Sequence, residues 1–285
     1  MKVYLNLFTL FILCLLASAC DNFNEEPMYL RINEADFRTE ADEGAPSHRI
    51  QDVWVYADGL SIGVFELPAD VPVLSSDSDV DIDIFGGIRN NGLALSPTQY
   101  SFYERIDFTQ NFEPGTTVEV SPIFAYREGA KIAFLEDFEG SNLFSEDLDG
   151  DDTSVLVKTS DPAQVKYGFS CGRISLNTEN NLFQQATLAT FNAEDFGASE
   201  VFVELDFKCD IPFVFGYVGQ TGSFSSTRFP IALKPTEEWT KIYIDYSVFF
   251  NGGEFESYKL LLAGAPLEEG GTIWVDNIKL VYNDN

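Results

Sequence analysis

Acidic side chains are the most abundant groups in this sequence that could bind a metal ion or catalyse a reaction, and one short loop is especially rich in them. The run Asp147–Asp152 carries aspartate at four of its six positions, and calcium binds to carboxylate and carbonyl oxygens. An EF-hand loop needs glycine at position six and glutamate at position twelve. Here glycine occupies position four and Lys158 position twelve. We therefore expect an exposed acidic loop, with weak calcium binding as the alternative.

Groups that could act as catalytic bases are scarce. His48 is the only histidine, so a Ser-His-Asp triad or a multi-histidine zinc site would have to use it alone. It lies near Pro46 in a loop-like segment, and we expect it to be solvated. The sequence contains no G-x-S-x-G, Walker or dinucleotide-binding motif. These observations favour a protein that is not an enzyme.

Overall charge narrows the function classes further. Asp plus Glu number 46 against 17 Lys plus Arg, which gives a formal net charge of −29. Such a surface repels phosphate backbones and anionic lipid, so nucleic-acid binding is disfavoured. Solubility is the simplest reason for this charge, and binding of divalent cations is the alternative. The 26 Phe residues supply enough apolar surface for real cores.

The amino terminus carries a possible membrane signal. Residues 3–16 are apolar apart from Asn6 and Thr9, but a membrane span needs about 20 residues. The run Leu16-Ala17-Ser18-Ala19-Cys20 resembles the end of a bacterial lipoprotein signal peptide. The resemblance implies that residues 1–19 are removed and that Cys20 carries lipid. An ordinary signal peptide cut near Ala19 is the alternative.

An acidic segment follows this cysteine. Residues 20–27 form a tether whose run Asp21–Pro27 is similar to the surface-export signal of Bacteroidota lipoproteins. The similarity implies a lipid-anchored protein of the outer membrane, displayed at the cell surface, which touches the membrane through its lipid alone. A plain solvated spacer is the alternative.

Strand patterns dominate the rest of the chain. Residues 28–126 show about seven short strands, as in an immunoglobulin-like β-sandwich. Asp58-Gly59 between β-rich runs predicts a type I′ hairpin turn, and Asp79–Phe85 alternates acidic and apolar residues. After a short joint at Arg127–Ala130, residues 131–285 show eight or nine strand patterns, which suit a jelly-roll β-sandwich. We predict an all-β fold with these two domains.

Three motifs carry a further resemblance. E-D-F-E-G at 136–140, E-E-W-T-K-I-Y-I-D at 237–245 and I-W-V-D-N-I-K-L at 273–280 resemble the carbohydrate-binding jelly rolls of the galactose-binding-like superfamily. The resemblance implies glycan binding and a structural calcium held by Glu136, Glu139 and Asp276. Alternatively, backbone amides or a lysine satisfy Asp276, a carboxylate on a mostly apolar strand face.

One strand resembles a catalytic element. Glu204-Leu205-Asp206 is similar to the acidic strand of jelly-roll glycoside hydrolases, which places two carboxylates on one face. The third acidic position of that pattern is occupied here by Lys208-Cys209. We therefore expect a solvated strand face. Cys209 and Cys171 could pair in an oxidising compartment, or stay buried as free thiols.

Aromatic residues are the side chains that a glycan surface would use, because rings stack on the apolar faces of sugars. Trp54, Trp239 and Trp274 lie inside strand patterns, so we expect them mainly in the cores. Capping of the sandwich ends is the alternative role for the other candidates. The predicted ligand-binding residues are Phe224, Tyr246, Phe249 and Phe250.

Together these features predict a non-enzymatic outer-membrane lipoprotein that displays a glycan-binding jelly roll on an immunoglobulin-like spacer. The alternative is an accessory subunit of an outer-membrane protein complex, and the third hypothesis is a glycoside hydrolase.

Overall fold

The computed structural model describes residues 26–150, 153–264 and 270–284. Strands dominate these residues, and the prediction of an all-β fold is confirmed. Cys20 and the predicted signal peptide at residues 1–19 lie outside the described residues. Within the described ranges, no helix is long and apolar enough to cross a membrane.

The N-terminal body is built from short strands that form three sheets. The largest, which we call the N-terminal sheet, has the order β4-β3-β6-β7, with β8 also paired to β6. The others are β5-β1-β9 and β10-β2. The strands are β1 (Met28–Ile32), β2 (Asp36–Phe37), β3 (Asp52–Ala57), β4 (Leu60–Glu66), β5 (Ala69–Val73), β6 (Asp79–Arg89), β7 (Pro97–Gln99), β8 (Ile106–Asn111), β9 (Thr117–Glu119) and β10 (Ile123–Phe124).

Local sequence explains much of this body. Asp58 and Gly59 both have positive φ, 49° and 74°, as the predicted type I′ turn between β3 and β4 requires. Along β6, Val80, Ile82 and Ile84 are buried while the intervening aspartates keep solvent contact. The pairings of β1 with β9 and of β2 with β10 are parallel. The immunoglobulin-like assignment of residues 28–126 stays a prediction.

The C-terminal body is a sandwich of two sheets. We call β13-β14-β22-β17-β20, with β11 beside β22, the front sheet, and β12-β15-β21-β18-β19, with β16 beside β21, the back sheet. A short helix, α1, spans Ser247–Phe250, and a 3-10 turn spans Ala193–Asp195. The strands are β11 (Ala130–Glu136), β12 (Glu146–Asp147), β13 (Val157–Thr159), β14 (Cys171–Leu176), β15 (Phe183–Ala186), β16 (Phe191–Asn192), β17 (Val201–Cys209), β18 (Phe213–Thr221), β19 (Phe224–Leu233), β20 (Thr236–Asp245), β21 (Ser257–Gly264) and β22 (Gly271–Asn283).

The two sheets bury alternate residues of their strands between them. Val203 and Leu205 of β17 face Phe215 of β18 in one aromatic-rich core, as expected for face-to-face sheets. Cys171 and Cys209 are both buried and unpaired in the described part of the chain. Burial raises the pKa of the Cys171 thiol to about 12 and that of Cys209 to about 11, so both behave as inert core residues.

The two bodies are in direct contact. Phe202, Tyr243 and Val281 belong to strands of the front sheet, yet they pack into the hydrophobic core of the N-terminal body. The outer surface of the front sheet is therefore partly an interface.

Candidate functional site

The outer face of the front sheet holds most of the charged side chains that could do chemistry. Glu204 and Asp206 point outward from β17, as their alternation predicts, but both are 0% exposed. The prediction of a solvated face is wrong here, because the N-terminal body covers it. Two carboxylates without solvent access cannot reach a polysaccharide, so these residues do not support a hydrolase.

A lysine compensates the buried charge. Lys241 Nζ of β20 lies 2.7 Å from Glu204 Oε2 and 4.0 Å from Asp206 Oδ2. Burial raises the pKa of Glu204, but Lys241 and Lys279 outweigh burial and the pKa ends below its ordinary value. Tyr100 of the N-terminal body donates its hydroxyl to Glu204 Oε1 at 2.8 Å. The carboxylate is therefore ionised and held by one ion pair and one hydrogen bond, which suits a structural role better than a catalytic one.

The loop at residues 44–49 of the N-terminal body docks onto this cluster. Ser47 Oγ accepts hydrogen bonds from Lys241 Nζ at 3.0 Å and Asn277 Nδ2 at 2.6 Å, and it donates to Asp206. Asn277 Oδ1 also accepts the Ala45 N–H at 3.1 Å. One hydroxyl thus joins three buried polar groups of the C-terminal body.

A β-bulge explains why β22 presents this set. Asn277 has a positive φ of 50°, and the register between β17 and β22 shifts between Glu204 and Asp206. An extra residue reverses the alternation of a strand. Trp274 and Asp276 therefore face outward, whereas Ile278 and Leu280 face the core. The expectation that Asp276 shares a face with Ile278 is wrong for this reason.

The three predicted calcium ligands do not gather. Glu136 accepts the N–H groups of Phe138 and Leu143, and Glu139 accepts those of Phe169 and Ser170. Both carboxylates thus order local loops.

Asp276 accepts the Asn277 N–H at 2.8 Å, and its Oδ2 has no hydrogen-bond partner among the residues described. Burial raises the pKa of Asp276 to about 8. Across residues 26–150, 153–264 and 270–284, no group of three or more metal-ligating side chains forms. Calcium binding stays a prediction, and at Asp276 it would have to use other oxygens.

The acidic loop and the histidine take modest roles. Asp147 Oδ1 accepts the N–H groups of Asp149 and Gly150, while Asp151 and Asp152 lie outside the described residues. His48 is half-buried, 3.9 Å from Asp36, and burial lowers its pKa.

Two of the predicted ligand-binding rings are core residues. Tyr246 is 0% and Phe250 2% exposed, so the prediction that they contact a ligand is wrong. The one-turn helix α1 follows Tyr246, and residues four apart on a helix share a face. Both rings therefore enter the core together. Phe249 is half-buried against Tyr217, whereas Phe224 is 62% exposed. Binding by Phe224 and Phe249 stays a prediction.

A second part of the outer face of the front sheet forms an open pocket, at the end of β17 and the start of β20. We call it the Trp pocket. Lys208, Asp210, Glu237 and Trp274 line it, with a volume of about 470 Å³. Trp274 is half-buried between Arg173 of β14 and Lys208 of β17, and Lys208 Nζ lies 5.7 Å from its ring centroid. The expectation that Trp274 is mainly a core residue is wrong because of the bulge at Asn277.

One loop orients the tryptophans of this face. Gln164 accepts the indole N–H of Trp239 with its backbone oxygen at 3.0 Å and that of Trp274 with its side chain at 2.9 Å. Both rings are half-buried. Sequence reasoning missed this site, and the only available signal was the polar composition of the alternating positions around Trp274.

Comparison with known proteins found similar folds but no matching sequence. No protein-family model and no curated protein matches the chain. The structural neighbours are carbohydrate-binding modules. A family 30 module shares 16% identity over 46% of this chain and 75% of its own, with a TM-score of 0.35. The family 11 module from Clostridium thermocellum, in complex with a β-1,3-1,4-mixed-linked tetrasaccharide, shares 16% sequence identity. The match covers 53% of this chain and 95% of that module, with a TM-score of 0.38. The CBM22-1 xylan-binding domain from Paenibacillus barcinonensis Xyn10C shares 14% sequence identity. The match covers 56% of this chain and 99% of that domain, with a TM-score of 0.39. At these TM-scores, the neighbours decide neither the ligand nor the site of this chain.

Proposed function

We propose that this chain is a non-catalytic glycan-binding protein whose C-terminal sandwich contacts a saccharide at the Trp pocket. The observation that carries the proposal is the half-buried ring of Trp274, presented on an outer sheet face beside charged side chains. The N-terminal body is fixed to the same sheet and serves as its rigid support.

The chemistry of the pocket suits a sugar. An indole ring offers an apolar face for the C–H groups of a pyranose, and Lys208 and Glu237 offer a donor and acceptors for hydroxyls. Ligand pockets are typically about 300–1,000 Å³ and combine apolar walls with a few polar groups. The Trp pocket, at about 470 Å³, falls in this range.

A glycan array on the chain from residue 21 onward, followed by calorimetry, tests the proposal. Trp274→Ala should weaken binding of any array hit about tenfold or more, equivalent to about 1.4 kcal/mol per tenfold. The competing variant is Phe224→Ala, which removes a predicted ligand-binding ring that is exposed at the edge of the back sheet. If Phe224→Ala abolished binding and Trp274→Ala did not, the site would lie at β19 instead.

We further propose that lipid on Cys20 holds this protein at the outer membrane, facing outward, in a Bacteroidota-type cell. The small residues before Cys20 and the acidic tether after it support this location. Cys20→Ser should move the protein from the membrane fraction to the soluble fraction. Native protein with an unprocessed, unacylated amino terminus would overturn the proposal.

An accessory role in a membrane protein complex is the second candidate, and β19 favours it. This edge strand exposes Phe224 at 62% and Phe229 at 49%, and edge strands can pair with a partner chain. A stoichiometric partner captured by the wild type, and lost with Phe224→Ser and Phe229→Ser together, would support this role.

A further inference from the structure

The outer face of the N-terminal sheet carries a row of three apolar side chains, two of which are aromatic. Trp54 of β3 pairs with Val64 of β4 and Phe85 of β6 across adjacent strands. Val64 is 46% exposed, and Trp54 and Phe85 are half-buried, which corrects the expectation that Trp54 is mainly a core residue. The described residues offer the Trp54 indole N–H no hydrogen-bond partner. One donor of this row is therefore available to a ligand.

A glycine sets the orientation of the Trp54 ring. A Cβ built at Gly87 would lie 2.1 Å from Cζ3 and 2.9 Å from Cε3 of Trp54. The six-membered ring therefore lies against the glycine backbone of β6. Glycine permits this close approach because it has no side chain. A ring that lies against a sheet presents its other face outward, as stacking on a sugar requires.

Charged planar side chains lie beside this ring. Asp52 and Glu66 are opposite each other on β3 and β4. Asp52 is two residues from Trp54, and Glu66 is two residues from Val64, roughly 7 Å along each strand. Arg89 Nη2 lies 2.9 Å from Asp52 Oδ1 and 3.3 Å from Glu66 Oε1. Asp52 is 3% exposed and acts as a positioning residue for Arg89, whereas Glu66 retains a free, solvent-facing oxygen.

Glu66 and Arg89 also line a pocket at the seam between the two bodies, whereas Trp54 lies outside its lining. Arg49, Gln51, Glu66 and Arg89 line it from the N-terminal body, and strand β20 closes its other side, with a volume of about 230 Å³. Arg49 donates to Thr240 Oγ1 at 2.9 Å, and the rest of its guanidinium faces the pocket. The lining carries three basic side chains, Arg49, Arg89 and Lys241, and one acidic side chain, Glu66, on a molecule where acids outnumber bases 46 to 17.

We propose that this seam site is a second saccharide-binding surface, with a sugar stacked on Trp54 and its hydroxyls bound by Glu66, Arg89 and Arg49. Asp52 pairs with Arg89 and Glu204 pairs with Lys241, and the surrounding acidic surface repels anionic partners, so we expect a neutral polyhydroxylated ligand. The flat ring of Trp54 matches an apolar face of a pyranose, and the Glu66 carboxylate and the Arg89 guanidinium match its hydroxyl groups. The N-terminal body is then a binding module as well as a support, and the site is independent of the Trp pocket.

Calorimetry with neutral oligosaccharides tests the seam site in the full two-body chain. We expect two binding events per chain in the wild type. Trp54→Ala and Glu66→Gln should each weaken one of them about tenfold, or about 1.4 kcal/mol, and leave the other unchanged. Glu66 is exposed, so Glu66→Gln reports binding without risk to folding. Leu60→Ala, an exposed change on the same sheet, is the control.

The variants separate this inference from the proposed function. Loss of all binding with Trp274→Ala, and wild-type binding by Trp54→Ala and Glu66→Gln, would overturn the seam site and leave the Trp pocket standing. Loss with Trp54→Ala alone, and wild-type binding by Trp274→Ala, would support the seam site and overturn the Trp pocket. Absence of binding by the wild type to every neutral oligosaccharide would overturn the seam site, while the glycan array decides the Trp pocket separately.

Discussion

Lys241 illustrates what burial does to a single charged residue. Its side chain is 1% exposed and neutralises Glu204 at 2.7 Å. Burial lowers the pKa of Lys241, but Glu204 and Asp206 outweigh burial and raise it above its ordinary value. The ammonium is therefore always charged in the folded protein, and its loss would leave buried carboxylates without a counterion.

Replacement of this lysine should be costly. Lys241→Met should reduce the free energy of unfolding by about 3–5 kcal/mol, because an uncompensated buried charge remains. Combining it with Glu204→Gln should restore part of the loss. Urea unfolding followed by fluorescence measures both, with Lys234→Met, an exposed lysine, as the control. A single variant as stable as the wild type would contradict the ion-pair role.

Lys279 predicts a pH dependence with a definite sign. Burial, then Lys241, lowers its pKa from 10.5 to about 8. Between these values the unfolded chain holds a proton that the folded chain has released, so the contribution of Lys279 to stability rises with pH. Relative to Lys279→Met, the wild type should gain free energy of unfolding from pH 8 to 10. If the free energies of unfolding of the wild type and Lys279→Met changed in parallel with pH, the prediction would be refuted. The control Lys234→Met should show the same pH dependence as the wild type.

The 44–49 loop is one of the elements that hold the two bodies together. Its Ser47 hydroxyl contacts Lys241, Asn277 and Asp206 in one buried cluster. Buried polar groups cost stability when a partner is removed, so these hydrogen bonds help to hold the loop in position.

Removal of that hydroxyl should loosen the loop. Ser47→Ala should cost about 1–3 kcal/mol, the typical effect of an unsatisfied buried polar group. Amide exchange of Ala45, whose N–H binds Asn277 Oδ1, should accelerate measurably. Ser76→Ala, in an exposed loop, should leave the Ala45 amide unchanged. Unaltered exchange in Ser47→Ala would show that other contacts hold the loop.

At the scale of the whole molecule, the two bodies share a core. Tyr243 from β20 packs 5.0 Å from the ring of Tyr100, and its hydroxyl lies 2.9 Å from that of Tyr103. An interface that combines apolar packing with buried ion pairs and hydrogen bonds should couple the unfolding of both bodies.

Calorimetry can test this coupling. The wild type should unfold in one transition, and Tyr243→Ala should separate it into two because it removes a buried ring from the shared core. Phe169→Ala, at an 82% exposed ring, should keep the single transition. Two transitions in the wild type would show that the bodies unfold independently.

Sequence alone determined the class of fold. Alternation with a period of two is a local property of a strand, and it predicted the alternating face of β6 and the Asp58-Gly59 turn. The charge and the single histidine likewise follow from composition.

Only the tertiary structure decided which strand faces meet solvent. Glu204 and Asp206 have the sequence pattern of a solvent-exposed strand face, yet the N-terminal body covers them. Trp274 and Asp276 change faces because of one extra residue at Asn277, and Tyr246 and Phe250 enter the core through a single helical turn. A strand pattern distinguishes two faces but not what lies against each of them, because that contact is made by residues far away in the chain.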